Sequence, residues 1–191
     1  MKVLFASKNK GKVREVKKIL GSAGIEVMSL ADFEDVPDVV EDKETFLENS
    51  KKKAKEIYEI FRIPVIADDS GLAVDQLDGR PGVYSARYAG EDATDSDNNA
   101  KLLSELKGLP SPHKAKFISI AVYYDGINYK YAEGELKGEI ILEPRGNNGF
   151  GYDPVFIPEG YKNTLAEFSL EGKNRISHRS KAFTKLKTMI L

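Results

Sequence analysis

Two adjacent aspartates followed by serine and glycine, Asp68-Asp69-Ser70-Gly71, come directly after the apolar run Val65-Ile66-Ala67. Successive residues of an extended chain point to opposite sides, so one carboxylate is expected to hydrogen-bond within the fold while the other faces a ligand. Asp69, toward the loop, is the candidate for Mg²⁺ binding or water activation; a turn with self-satisfied Asp and Ser side chains is the plain alternative. A second group, Ser7-Lys8-Asn9-Lys10-Gly11-Lys12, lies between a buried strand and a helix start, where free backbone N–H groups and the helix dipole attract phosphate. Its spacing is not that of a Walker A loop. Lysines in a first helical turn oppose the dipole, so Lys10 and Lys12 there call for an anion. Glu41, Asp42 and Glu44 belong to an acidic stretch able to complete a Mg²⁺ site, although each alone reads as a solvated surface acid.

Two further segments suit a flat, oxygen-bearing ring. Phe150-Gly151-Tyr152-Asp153-Pro154 sets an aromatic beside glycine in a loop rich in Gly and Asn, an arrangement for stacking or for plugging a core. Lys173, Ser177, His178 and Arg179 form the other. With Ser177 as N-cap, His178 and Arg179 occupy a first turn, again the unfavourable end for positive charge. A donor-only Arg or Lys reads a carbonyl oxygen such as purine O6 but not an amino group; ordinary solvated cations are the alternative.

Hydrophobic periodicity supplies the elements that position these groups. Val3 to Ala6 reads as a buried strand, Lys12 to Leu20 as a helix with Val13, Val16, Ile19 and Leu20 on one face, and Ile25 to Ser29 as a second strand. A long helix opened by a Thr45/Glu48 capping box turns Phe46, Leu47, Ala54, Ile57, Tyr58 and Phe61 inward. The strand before Asp68 follows, then a Gly/Pro/Arg-rich loop and a helix from the Thr94/Asp97 capping signal through Leu106. Phe117 to Tyr124 and Tyr129 to Lys137 read as a hairpin around Asp125-Gly126, Pro144 to Pro158 as a long loop, and Ser177 to Ile190 as the last helix. The fold class expected is α/β: a mixed, twisted sheet with flanking helices, in two lobes with a cleft between.

Composition excludes several classes. The 191 residues are expected to form one domain, 1–191. At 41% hydrophobic and with 16 Gly and 8 Pro, the chain is neither disordered nor fibrous. No apolar stretch approaches the roughly 20 residues needed to span a bilayer, so a soluble cytoplasmic protein without membrane partners is expected. Having no cysteine, it has no disulfide and no thiol nucleophile. Lys plus Arg number 29 against 30 Asp plus Glu, which argues against a nucleic-acid coat. The charges are nonetheless segregated. Lys8 to Lys18 holds six basic residues against Glu15 alone, and Asp32 to Glu48 holds eight acids against Lys43 alone.

Across essentially the whole chain these segments resemble the inosine triphosphate pyrophosphatase family. Ser7 to Lys12 with Glu15 is similar to its Ser/Thr-x-Asn-x-x-Lys-x-x-Glu motif, and Asp68 to Leu72 with Pro81 to Tyr88 to its central signature. Gly149 to Pro154 and Ser177-His178-Arg179-x-Lys181-Ala182 are similar to its base-recognition segments. Glu41, four residues before Thr45, matches its acidic metal ligand. The resemblance implies a homodimer of elongated, two-lobed protomers with a central cleft, acting with Mg²⁺ on ITP, dITP and XTP to release the monophosphate and pyrophosphate. It also implies roles: Ser7, Lys8, Asn9, Lys10, Gly11 and Lys12 on the triphosphate, Glu41 and Asp69 on Mg²⁺, Asp69 on the attacking water, and Ser70 on substrate. Phe150, Gly151, Tyr152, Asp153, Lys173, His178 and Arg179 would hold the base. A terminal phosphatase, a pyrophosphatase for modified pyrimidine nucleotides and a non-catalytic nucleotide sensor are the competing readings.

Overall fold

The protein is described by a computed structural model covering residues 1–191. Six strands form one sheet in the order β2-β1-β3-β4-β5-β6. They are β1 (Lys2–Phe5), β2 (Glu26–Ser29), β3 (Val65–Val74), β4 (His113–Tyr124), β5 (Tyr129–Ile140) and β6 (Phe156–Pro158). β1 pairs in parallel with β2 and β3, and β5 pairs antiparallel with β6, so the sheet is mixed as expected. Five helices accompany it: α1 (Lys10–Gly21), α2 (Phe46–Phe61), α3 (Asp95–Leu106), α4 (Leu170–Ile176) and α5 (His178–Ile190). The chain divides into two compact units, one made of Met1–Asp69, Ser119–Gly134 and His178–Leu191, the other of Ser70–Ile118 and Glu135–Ser177.

In the first unit the sheet is buried on both faces, which is why its strands read as continuous apolar runs. Val3, Phe5 and Ile66 pack with Val16, Ile19 and Leu20 of α1 and Ala182, Phe183 and Leu186 of α5. Leu4, Ala6, Val65 and Ala67 pack on the other side with Ala54 and Ile57 of α2. The second unit has its own core, in which Leu72 and Val74 meet Leu102 and Leu106 of α3, Phe117, Tyr152, Val155 and Phe156.

Four local readings change. The β3 strand does not stop before the aspartates but runs ten residues to Val74, so Asp68 and Asp69 lie within it. The expected loop from Pro144 to Pro158 contains a helical turn at Asp153–Val155 and the three-residue strand β6. A seven-residue helix, α4, precedes Ser177, which therefore stands between two helices and closes α4 by donating its N–H to the Lys173 carbonyl. Thr45 caps α2, accepting the Glu48 N–H at 3.2 Å, but the Glu48 carboxylate accepts the Thr45 hydroxyl at 2.8 Å instead of completing a reciprocal box. The Thr94/Asp97 box is reciprocal, as expected.

Candidate active site

Because β3 continues through the aspartates, its two-residue period assigns them to opposite faces. Asp68 follows Ile66 onto the face covered by α1 and α5, and Asp69 follows Val65 and Ala67 onto the face covered by α2. The two carboxylates thus meet different partners. Asp68, buried, accepts from Arg179 Nε at 3.1 Å and Lys12 Nζ at 3.3 Å. Arg179, only 2% exposed, also donates through Nη1 to Glu15 Oε2 at 2.8 Å. Burial opposes the Arg179 charge, yet Asp68 and Glu15 outweigh it and hold the guanidinium more firmly protonated than usual. These carboxylates are the anions that meet Lys12 and Arg179 in the first turns of α1 and α5; Lys10, exposed, is not among their partners. Burial dominates at Lys12 and lowers its pKa despite the attraction of Asp68.

On the other face Asp69 Oδ2 accepts from Asn49 Nδ2 at 3.0 Å. The same Asn49 accepts the Lys43 N–H at 2.9 Å through Oδ1, which ties the acidic stretch to α2. Lys53, buried one turn further along the helix, donates to Glu41 and, at 2.5 Å, to the Asp68 carbonyl. Burial works against its charge, but Glu41, Asp69 and Asp68 together raise its pKa. The Asp69 carboxyl is raised too, from the ordinary carboxylate range up to about 6, chiefly by burial, with Lys53 opposing and the nearby negative charge of Glu41 adding to the rise.

The donor set fits Mg²⁺. Glu41 and Asp69 are hard oxygen donors whose charges repel each other in a buried setting, a tension that a cation relieves. No group of three or more His, Cys, Asp or Glu side chains converges anywhere in the protein. Two carboxylates suffice for Mg²⁺, which keeps several waters and takes substrate phosphate oxygens.

The loop between β1 and α1 is shaped by short polar contacts. Ser7 Oγ accepts the Asn9 N–H at 3.2 Å, and Asn9 caps α1 by accepting the Lys12 N–H at 3.1 Å. Lys10 is exposed beside half-buried Gly11, and no acid stands in the first turn. Lys8 turns aside, bonding the Val36 carbonyl and Asp38 Oδ1, each at 2.8 Å. Of the other acids named from the sequence, Asp42 pairs with Lys52 at 2.8 Å and Glu44 is exposed.

The second unit gathers Phe150, Asp153 and Lys173. Asp153 Oδ2 accepts both the Phe150 N–H at 2.9 Å and Lys173 Nζ at 2.6 Å, and that ammonium lies 4.4 Å from the Phe150 ring centroid. Both partners of the ion pair are nearly fully buried, while the Phe150 ring is half-buried. Tyr152 is a core residue whose hydroxyl donates to the Ser85 carbonyl at 2.8 Å. Ser70 is half-buried on β3, and His178 is buried at the start of α5.

Gly149 makes this corner possible. Its φ is +81°, and a Cβ there would fall 2.0 Å from Asp153 Oδ2. Gly149→Ala is therefore expected to push Asp153 off Lys173. Gly160→Ala, at φ +83° with open space around it, carries the backbone strain alone. A thermal melt of both variants should find Gly149→Ala the less stable by about 2 kcal/mol. Equal melting would show that the contact does not constrain the loop.

Sequence reasoning missed Asn49 and Lys53. Their signal was present: they sit four residues apart on a helix, beside the inward stripe of Ala54 and Ile57, where a polar pair is buried at a cost unless it has partners.

Fold and clusters together define a mixed α/β protein in which two neighbouring carboxylates on opposite faces of one strand meet lysines of the flanking helices. The chain belongs to the Ham1 family, whose sequence profile matches residues 3–189. It is 48% identical over 188 residues to the dITP/XTP pyrophosphatase of Geobacter sulfurreducens, covering 97% of this chain and 94% of that one. It is 52% identical over 187 residues to the dITP/XTP pyrophosphatase of Geobacillus kaustophilus, covering 96% and 91%. Among solved structures, a HAM1 protein from Coxiella burnetii superimposes with a TM-score of 0.89 at 36% identity, covering 100% of this chain and 98% of that one.

Proposed function

We propose that the protein is a Mg²⁺-dependent nucleoside triphosphate pyrophosphohydrolase that converts dITP, XTP and ITP to the monophosphate and pyrophosphate, removing deaminated purines before they enter nucleic acid. One observation carries the reading. Of two adjacent buried carboxylates, Asp68 is neutralised by Lys12 and Arg179, whereas Asp69 is hydrogen-bonded to an amide, stands near Glu41 and has its carboxyl raised to about 6. A strained carboxylate of this kind is suited to reaction, not to stability. The names of the curated relatives agree with it.

In this reading Ser7 to Lys12 receive the triphosphate, with the N–H groups at the start of α1 and the exposed Lys10 facing its negative oxygens, and with Lys8 and Lys12 exchanging Asp38 and Asp68 for phosphate when it binds. Glu41 and Asp69 would hold Mg²⁺, which when bound neutralises phosphate charge and polarises the phosphoryl oxygens. Asp69 orients the attacking water in line with the α-phosphorus and accepts its proton, while Ser70 contacts substrate. Lys53 holds Glu41 in place. The base belongs to Phe150, Gly151, Tyr152, Asp153, Lys173, His178 and Arg179, with the Phe150 ring as stacking platform and Lys173 as a donor suited to a purine carbonyl. No covalent nucleophile is needed.

The family resemblance supports one catalytic domain over residues 1–191, working as a cytoplasmic homodimer. No helix is long and apolar enough to cross a membrane. The test is anion-exchange analysis of products from dITP, ITP, dATP and GTP with and without Mg²⁺. Monophosphate and pyrophosphate in equal amounts from dITP and ITP, only with Mg²⁺ and faster than from dATP or GTP, are expected. Diphosphate with orthophosphate would identify a terminal phosphatase, and saturable binding without turnover a sensor.

A further inference from the structure

The loop bearing Phe150 is gripped on its other flank by the first turns of α3. Asp95 Oδ2 accepts the Gly151 N–H at 2.7 Å, and Asn99 Nδ2 donates to the Gly151 carbonyl at 2.8 Å. Two side chains one helical turn apart therefore fix both backbone polar groups of the residue next to the ring. Neither is needed to start the helix. Thr94 and Asp97 already close the capping box, with Asp97 Oδ2 accepting the Thr94 N–H at 2.9 Å and Thr94 Oγ1 the Asp97 N–H at 3.2 Å. Asn99 also donates to the Asp95 carbonyl at 2.8 Å, and its side-chain oxygen is buried without a partner. Its amide is thus oriented for its donors at the expense of its acceptor. Gly151 adopts φ +61°, and Gly146, Gly149, Asn147 and Asn148 precede it, so the segment has little intrinsic stiffness.

We propose that Asp95 and Asn99 are positioning residues for nucleobase recognition: they clamp the Gly151 backbone and so fix the plane of the Phe150 ring on which the base stacks. The proposal rests on the pyrophosphatase reading above and on Phe150 as its base platform. Its physical content is preorganisation. Asp153 and Lys173 hold one side of Phe150, the clamp holds the other, and a loop ordered beforehand does not lose its freedom when nucleotide binds. The groups assigned to the phosphates and Mg²⁺ are in the loop after β1, the start of α1, the acidic stretch before α2 and β3, so loosening the clamp should weaken binding of the base without slowing the bond-breaking step.

The experiment uses the full chain with Mg²⁺ and measures kcat and KM for dITP, together with the inhibition constant of inorganic tripolyphosphate, which carries the phosphates without a base. Asp95→Ala is expected to raise the KM for dITP about tenfold, the size of one charge-assisted hydrogen bond, and Asn99→Ala about fivefold, the size of a neutral one, with kcat and tripolyphosphate inhibition near native values. Asp95→Asn, which keeps an acceptor, should recover most of the loss. Asp97→Ala weakens the start of the same helix without touching Gly151 and should leave KM near native. A native KM in Asp95→Ala, or an equal rise in Asp97→Ala, overturns the clamp. Phe150→Ala separates the two ideas: a raised KM there beside an unchanged Asp95→Ala defeats the clamp alone, an unchanged KM defeats the base platform, and absence of dITP turnover in the native chain defeats both.

Discussion

Asp69→Asn is expected to remove turnover about a thousandfold and, in metal-free solution at neutral pH, to make the protein more stable. The loss follows from deleting the charge and basicity of the carboxylate assigned to Mg²⁺ and water, with almost no change in volume. The gain follows from linkage. In the folded protein the Asp69 carboxyl is raised from the ordinary 3.8 to about 6, so the folded state holds a proton that the unfolded state has released. Stability therefore falls as pH rises from about 4 through 6, and the whole penalty is present above that window. An amide in the same place can still accept from Asn49 through its oxygen and carries no charge to desolvate. It should be the more stable by about 1 to 3 kcal/mol at pH 7.5, converging with the native protein below pH 4. Melting curves in chelator at the two pH values check this. Mg²⁺ should raise the melting temperature of the native protein and not of the variant. Unaltered dITP turnover in Asp69→Asn would remove Asp69 from the chemistry. A variant less stable than native at pH 7.5 would refute the electrostatic account.

Arg179→Ala is expected to be the most destabilising single change in the first unit, by about 3–5 kcal/mol. The guanidinium joins Asp68 and Glu15, both nearly fully buried, and its removal takes a charged donor at 2.8 Å from Glu15 and one at 3.1 Å from Asp68, leaving two desolvated carboxylates less well compensated. Arg179→Lys should fail to restore stability, because one ammonium cannot reproduce the two directed contacts of a planar fork. The variant Glu15→Gln with Arg179→Met should regain part of the loss, since it removes a buried carboxylate along with the guanidinium that compensates it. Urea unfolding of the four proteins tests the series. Native stability in Arg179→Ala would show that the buried pairs contribute nothing net. Folded Arg179→Ala with altered preference between dITP and dATP would support the part proposed for Arg179 in holding the base.

The split between Asp68 and Asp69 was present in the sequence because strand alternation is local: any extended pair of neighbours must diverge. The same locality made α1, α2 and α3 readable from their amphipathic faces, with Thr45 and Thr94 marking the starts of α2 and α3, whereas periodicity begins α1 at Lys12 without marking Asn9, which caps it at Lys10. Local signal failed where elements were short or unpunctuated. The three residues of β6 and the seven of α4 are too few to show a period, and Gly71 after Ser70 suggested an ending where sheet pairing carries β3 on to Val74. Partners were a different matter. Arg179 is 111 residues from Asp68 and 164 from Glu15, and nothing in the spacing of charges says which opposite charge a buried one will meet. The sequence alone determined which residues carry charge and on which face of its own element each one lies. The tertiary structure decided which of those charges meet one another, setting Asp68 against Lys12 and Arg179 and Asp69 against Asn49, Lys53 and Glu41, because burial sets the strength of an interaction and only the packed fold sets burial.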